Sequence, residues 1–168
     1  MISADYVQKM AGYNAWQNRS LYLAADGLSD AERRRDRGAF FGSLHATLNH
    51  LLWADRIWMS RFSDLDPPPG GVETSPNCYP DWAAMLKARP ELDSAIVDWS
   101  KSVDQDWLAG EMTWFFTISK KMSTKPTALV VVHFFNHQTH HRGQVHAMLT
   151  AAGARPEDTD LVMMPGDG

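Results

Sequence analysis

Five of the seven histidines in this 168-residue chain fall within one short stretch, HFFNHQTHHRGQVH (residues 133 to 146); the other two are His45 and His50. Neutral imidazole is a common ligand for divalent transition metals, and two such rings one helical turn apart can share one ion. His137 and His141 have that spacing. On a helix advancing roughly 100° per residue, with His137 at zero, Val130 and Met148 fall at about +20°, His141 at about +40°, Phe134 at about +60° and Val145 at about +80°. Both histidines therefore lie inside an apolar stripe. His133 and His140 fall at its edge, and His146, near 180°, is expected to face water. An isolated pair of this kind also fits two hydrogen-bonded core histidines. Burying two adjacent imidazoles leaves four ring nitrogens to satisfy, and a shared metal does so while keeping both rings neutral.

A metal needs a third ligand. Around His50 on its own helical wheel, Thr47, Ala54 and Ile57 lie within about 60°, leaving the ring room to reach across a bundle, whereas His45 falls at about -140° and points away. The general-base glutamate of an H-E-x-x-H protease is absent, because Gln138 follows His137. The Glu-x-x-His pairs of a di-iron bundle are absent too: the residues three before His50, His137 and His141 are Thr47, Phe134 and Gln138. What remains is a mononuclear site of His50, His137 and His141. Three neutral imidazoles leave the ion its double positive charge and an open position, as in catalytic zinc sites. A fourth side chain such as His133 would close the site instead. No buried carboxylate is marked as a general base, and Arg142, near 140° on the wheel, is expected in a helix or dimer salt bridge.

Helices must hold these residues. Apolar steps of three and four predict a helix over residues 4 to 26, stopping near Gly27. Ser29 with Glu32 forms a capping box for a short turn over 30 to 36, and the residues from Gly38 to Gly42 connect it to a helix over 43 to 62. The stretch SDLDPPPGGVETSPNCYP cannot continue that helix. A third long helix begins near Asp81 and carries Met85, Leu92, Ile96, Trp99 and Val103 on one side, with a kink or restart expected at Pro90. The period then becomes two: Met112, Trp114, Phe116 and Ile118 alternate with Thr113, Phe115, Thr117 and Ser119, which predicts one arm of a hairpin turning at Lys120-Lys121. Pro126 suits the first turn of a last helix running to about Ala152 and stopping at Gly153. The fold class is all-α, a four-helix bundle with a short β-hairpin before the last helix, in a single domain over 1 to 168.

Sixteen basic against twenty acidic residues give a net charge of -4, which offers no footprint for nucleic acid or an anionic membrane. The basic run from Glu32 to Arg37 is interrupted by acids and reads as a solvated helix face. The single cysteine, Cys78, sits in a Pro/Gly loop, excludes an internal disulfide and reads as a surface thiol. With no signal-peptide pattern and no long apolar run, a cytoplasmic protein is expected.

FFGSLHATLNHLLWADRIWMSRF (residues 40 to 62), HFFNHQTHHRGQVHAMLTAAG (133 to 153) and YNAWQNRSLY (13 to 22) together resemble the damage-inducible DinB family, the YfiT-related metal-binding bundles rather than the DNA polymerase of the same name. The likeness covers most of the chain. It implies nickel or zinc held by His50, His137 and His141, the same three that the wheels select. It also implies an up-down-down-up bundle and a homodimer. Relatives in the wider superfamily include transferases and isomerases that use bacillithiol, mycothiol or glutathione. The expected function is therefore a metal-dependent transferase that activates a low-molecular-weight thiol for attack on a small electrophile. A metal-stabilised, non-catalytic binding protein and a metal-hydroxide hydrolase are the alternatives.

Overall fold

The computed structural model describes residues 1–116 and 120–166. Six α-helices and one hairpin follow in order: α1 (Ala4–Asp26), α2 (Asp30–Arg34), α3 (Leu44–Phe62), α4 (Trp82–Ser102), α5 (Gln105–Ala109), β1 (Glu111–Phe116), β2 (Lys121–Pro126) and α6 (Thr127–Ala151). Short polar side chains open five of the helices by accepting a backbone N–H of the first turn: Ser3 from Tyr6, Ser29 from Glu32, Ser43 from Ala46, Asp81 from Ala83 and Asp104 from Trp107. At α6, Pro126 occupies the cap position itself, one residue before the helix, and the Thr127 N–H donates to the Gly110 carbonyl. Gly153, at φ +82°, takes the left-handed conformation that ends the chain's last helix cheaply.

The four long helices form the bundle, and side-chain pairs give their directions. Tyr22 stacks on Trp82 while Asn14 meets Asp93, so α1 and α4 are antiparallel. Asp55 pairs with Arg89 and Phe62 stacks on Trp99, so α3 and α4 run parallel. Asp55 meets Gln138 and Phe62 meets Phe134, so α3 opposes α6; Tyr6 with Phe135 and Asn14 with Arg142 make α1 and α6 parallel. This is the up-down-down-up arrangement, and it requires the long connection between α3 and α4. Leu48, Leu52, Met59, Met85, Ile96, Val131, Phe134 and Val145 are among the residues that fill the centre.

A polar network crosses that core. The Arg89 guanidinium bridges the Asp55 and Asp93 carboxylates at 2.7 Å each. Asn14 and Asn18 donate to Asp93, Gln138 donates to Asp55, and Arg142 donates to Asn14. All seven side chains are buried and they come from all four long helices. Buried polar groups tolerate little displacement from their partners, so this network sets the axial register of α3 against α6.

Several expectations are corrected. Of the kink or restart expected at Pro90, the restart does not occur: α4 is one helix with Pro90 inside it. The helix α5 was not foreseen. Arg33 is not on a solvated face: it is 8% exposed, lies over the Trp82 ring at 4.7 Å and donates to the carbonyls of Ala25 and Leu28. The hairpin is present, with Met112 and Trp114 half-buried and Thr113 and Phe115 exposed, as the alternation requires. Thr117, Ile118 and Ser119, the end of the predicted arm, lie outside the described residues.

Candidate metal centre

His50 projects from the middle of α3 toward His137 and His141, one turn apart on the antiparallel α6. Their ring centroids are 5.3 Å (His50–His137), 4.8 Å (His50–His141) and 4.5 Å (His137–His141) apart. One nitrogen from each ring lies within 4.8 Å of the other two. His50 and His141 are buried and His137 is half-buried. Among the described residues no carboxylate or thiol joins this group.

Hydrogen-bond partners orient two of the rings. The Ser75 hydroxyl gives its proton to the Val72 carbonyl at 2.6 Å, so its oxygen accepts from His50 Nδ1–H at 2.8 Å. His141 Nδ1–H donates to the Gln144 Oε1 at 2.8 Å. Both rings are thereby held in the tautomer whose Nε2 carries a free lone pair. The Nε2 atoms of His50 and His137 are 3.3 Å apart. Two lone pairs at that distance repel unless a proton or a cation lies between them. The same spacing is the edge of a tetrahedron with metal–nitrogen bonds of ~2.0–2.1 Å. The donor set thus fits a divalent transition ion.

Burial disfavours the protonated rings. It pushes His50 down to about 4, helped by the neighbouring His141, and His137 down to about 3, helped by His141 and His50. His141 is also lowered, chiefly by burial, although its bond to Gln144 acts in the opposite sense. All three are neutral at physiological pH, the form that coordinates metal.

The other histidines stand elsewhere. His133 is exposed, with its ring 5.9 Å from His137 and edge-on to Trp58 at 5.3 Å, and it does not join the cluster. His140 is exposed beside His141. His45 points away, as expected, into a buried contact with Asn49 near Trp82. His146 is half-buried, not fully exposed, and lines a small surface cavity with Tyr13, Gln17, Thr139 and Arg142. Arg142 makes no salt bridge among the described residues. It is buried, donates to Asn14 and to the Thr139 hydroxyl, and sits over the Tyr13 ring, and burial lowers it to about 10. Two buried carboxylates, Asp55 and Asp93, do exist, but both are committed to Arg89.

Two residues of the centre escaped the sequence reading. Phe41 stacks on His50 at 4.1 Å and lies 5.6 Å from His141, walling one side of the cluster and narrowing the room expected there. It comes from the connector, where Gly38 and Gly42 take φ near +70° and turn the chain sharply. Ser75 comes from a short 3-10 turn in the Pro/Gly-rich loop and is fully buried. A serine two residues after a glutamate and before a proline carries no signal of this role.

The family model of the DinB family matches residues 1–166. Protein DinB of Bacillus subtilis is 24% identical over 94% of this chain and 92% of its own length. A crystal structure of a DinB-like protein from Bacillus cereus aligns with a TM-score of 0.60 at 19% identity, over 85% of this chain and 90% of that one. YfiT from Bacillus subtilis aligns with a TM-score of 0.64 at 17% identity, over 91% of both chains. It is described as a probable metal-dependent hydrolase with an unusual four-helix bundle topology. With a model match from end to end and the same bundle in its structural neighbours, this chain belongs to the DinB family.

Proposed function

We propose that His50, His137 and His141 bind one divalent metal ion, zinc or nickel, and that the centre activates a low-molecular-weight thiol for attack on a small electrophile. The observation that carries this reading is the all-imidazole donor set, which no carboxylate joins among the described residues. A bound ion keeps its full double charge in such a set and makes a thiol acidic at neutral pH. The chain's own groups supply the rest. Ser75 and Gln144 fix the rings, Phe41 keeps water from one side, and the half-buried His137 marks the side open to substrate. Among the described residues no carboxylate joins the cluster as a proton acceptor, so a thiol ionised at the centre would release its proton to water on the open side.

The description of YfiT favours a second reading, metal-dependent hydrolysis, in which the same charge acts on water. Two measurements separate the readings. The purified protein is expected to hold about one metal per chain, lost in His50→Ala and His141→Ala and retained in His45→Ala and His146→Ala. Retention in the first pair removes the site. Metal-loaded protein should then conjugate monochlorobimane to at least one thiol of a panel faster than His141→Ala does. Conjugation at the control rate, with hydrolysis of an activated ester above it, selects the hydrolase.

A further inference from the structure

One side of the cluster continues into an aromatic path that ends on a guanidinium. The His133 ring lies 5.9 Å from His137 and 5.3 Å from Trp58. Trp114, reaching in from β1, meets Trp58 edge-on at 5.5 Å. The Arg61 guanidinium lies over the Trp58 ring at 4.4 Å and 5.6 Å from that of Trp114. His133 is exposed, and Trp58, Arg61 and Trp114 are half-buried, so each of the four side chains keeps some surface in contact with solvent. The ion pairs among the described residues are made by Arg33, Arg34, Arg35, Arg37, Arg89 and Lys101; Arg61 makes none and donates no hydrogen bond among them. Beside it the Trp114 Nε1–H is buried and has no acceptor among the described residues.

A guanidinium held over an indole face and making no ion pair retains N–H donors, and its planar fork matches the two oxygens of a carboxylate. His50 and Arg61 are separated by about 16 Å of helix rise, and a long helical side chain leans back toward the N-terminus, which brings the guanidinium to roughly 10–15 Å from the cluster. We infer that Arg61, with Trp114 Nε1–H, receives the carboxylate of an elongated substrate whose other end reaches the three histidines and whose middle lies on Trp58 and His133. This inference rests on the reading of the cluster as a thiol-activating metal centre, and it makes Arg61 a specificity determinant of that centre.

The test uses cobalt-loaded protein, in which thiolate binding to the ion gives a near-ultraviolet charge-transfer band. ω-Mercaptooctanoate should bind about tenfold more tightly than ω-mercaptooctanol, while β-mercaptopropionate, too short to span the path, gains nothing over mercaptoethanol. Arg61→Met should bring octanoate and octanol forms within twofold of each other without changing the alcohol's affinity, and Arg61→Lys should keep part of the preference. Equal binding of the long acid and alcohol to wild-type protein, which needs no variant, overturns the inference. So does a preference that survives Arg61→Met, or a variant that only melts earlier with its selectivity intact, since Arg61 would then merely fasten the hairpin to α3. If no thiol produces the band, the thiol reading fails. The carboxylate site is then judged separately, by tryptophan fluorescence titrated with octanoate against octanol. A saturable response to octanoate, lost in Arg61→Met, upholds it, and its absence overturns it.

Discussion

The Nδ1–H of His50 ends on a serine oxygen that passes its own proton to a carbonyl, so the ring has one tautomer available and one nitrogen left to offer. The serine fixes which neutral tautomer is present, while burial and the neighbouring His141 disfavour the protonated ring. The consequence for stability has a definite sign. In the unfolded chain these histidines take up protons near pH 6.5. In the folded chain His50 does so only at about 4 and His137 at about 3. Between those limits the unfolded state holds more protons, so metal-free protein loses stability as pH falls below about 6.5. The slope approaches ~1.4 kcal/mol per pH unit for a fully buried ring and is shallower for the half-exposed His137. Chemical denaturation of the metal-free protein at pH 7.5, 6 and 5 should show the midpoint falling steadily, and His50→Gln should reduce the slope. At this scale the three clustered histidines were legible because each lies on a helix, where spacing translates into direction. Phe41 and Ser75 were not, because each comes from a segment with no period to read.

Several helix starts were legible, the one at Ser29 from its capping box and those near Ser43 and Asp81 from the onset of helical period, and all three side chains cap their helices. The hairpin before α6 was legible for a similar reason, its period of two. What sequence patterns hid was the polar interior. Asp55, Arg89, Asp93 and Gln138 look like surface residues by type, yet each is buried, and their meaning emerges only when four helices are side by side. Burial alone would lower Arg89, but the Asp93 and Asp55 carboxylates outweigh it and hold the guanidinium well above its ordinary range. Arg89→Met should therefore leave two carboxylates facing each other without a cation, at a cost of about 3–5 kcal/mol. Thermal melts should show the loss. Because the network aligns α3 with α6, metal affinity should fall as well, although Arg89 contacts none of the three histidines. A variant that melts early but binds metal with wild-type affinity would separate register from stability and remove the network from the site's support.

Across the whole molecule the order of directions came from the family resemblance rather than from spacing, because periodicity says which face of a helix is buried and not which neighbour buries it. The side-chain pairs now supply that order. No helix among the described residues is long and apolar enough to cross a membrane. The segment after α6 doubles back along α1: Tyr13 donates to the Thr159 carbonyl, Gln17 to the Asp158 carbonyl, Trp16 to the Glu157 carboxylate, and Ser20 accepts the Glu157 N–H. Ending the chain after Gly153 should expose Tyr13, Trp16 and Gln17 and lower the melting temperature by several degrees, at roughly 2–4 °C per kcal/mol lost, with metal content unchanged. The separation of His50 from His137 by 87 positions also has a meaning in time. At ~5–20 residues per second of synthesis, His50 waits roughly 4 to 17 s for its first partner. During that interval a nascent chain carries only one of the three histidines, so the cluster cannot assemble until α6 has been made as far as His137 and His141, and a chain interrupted before α6 never forms it.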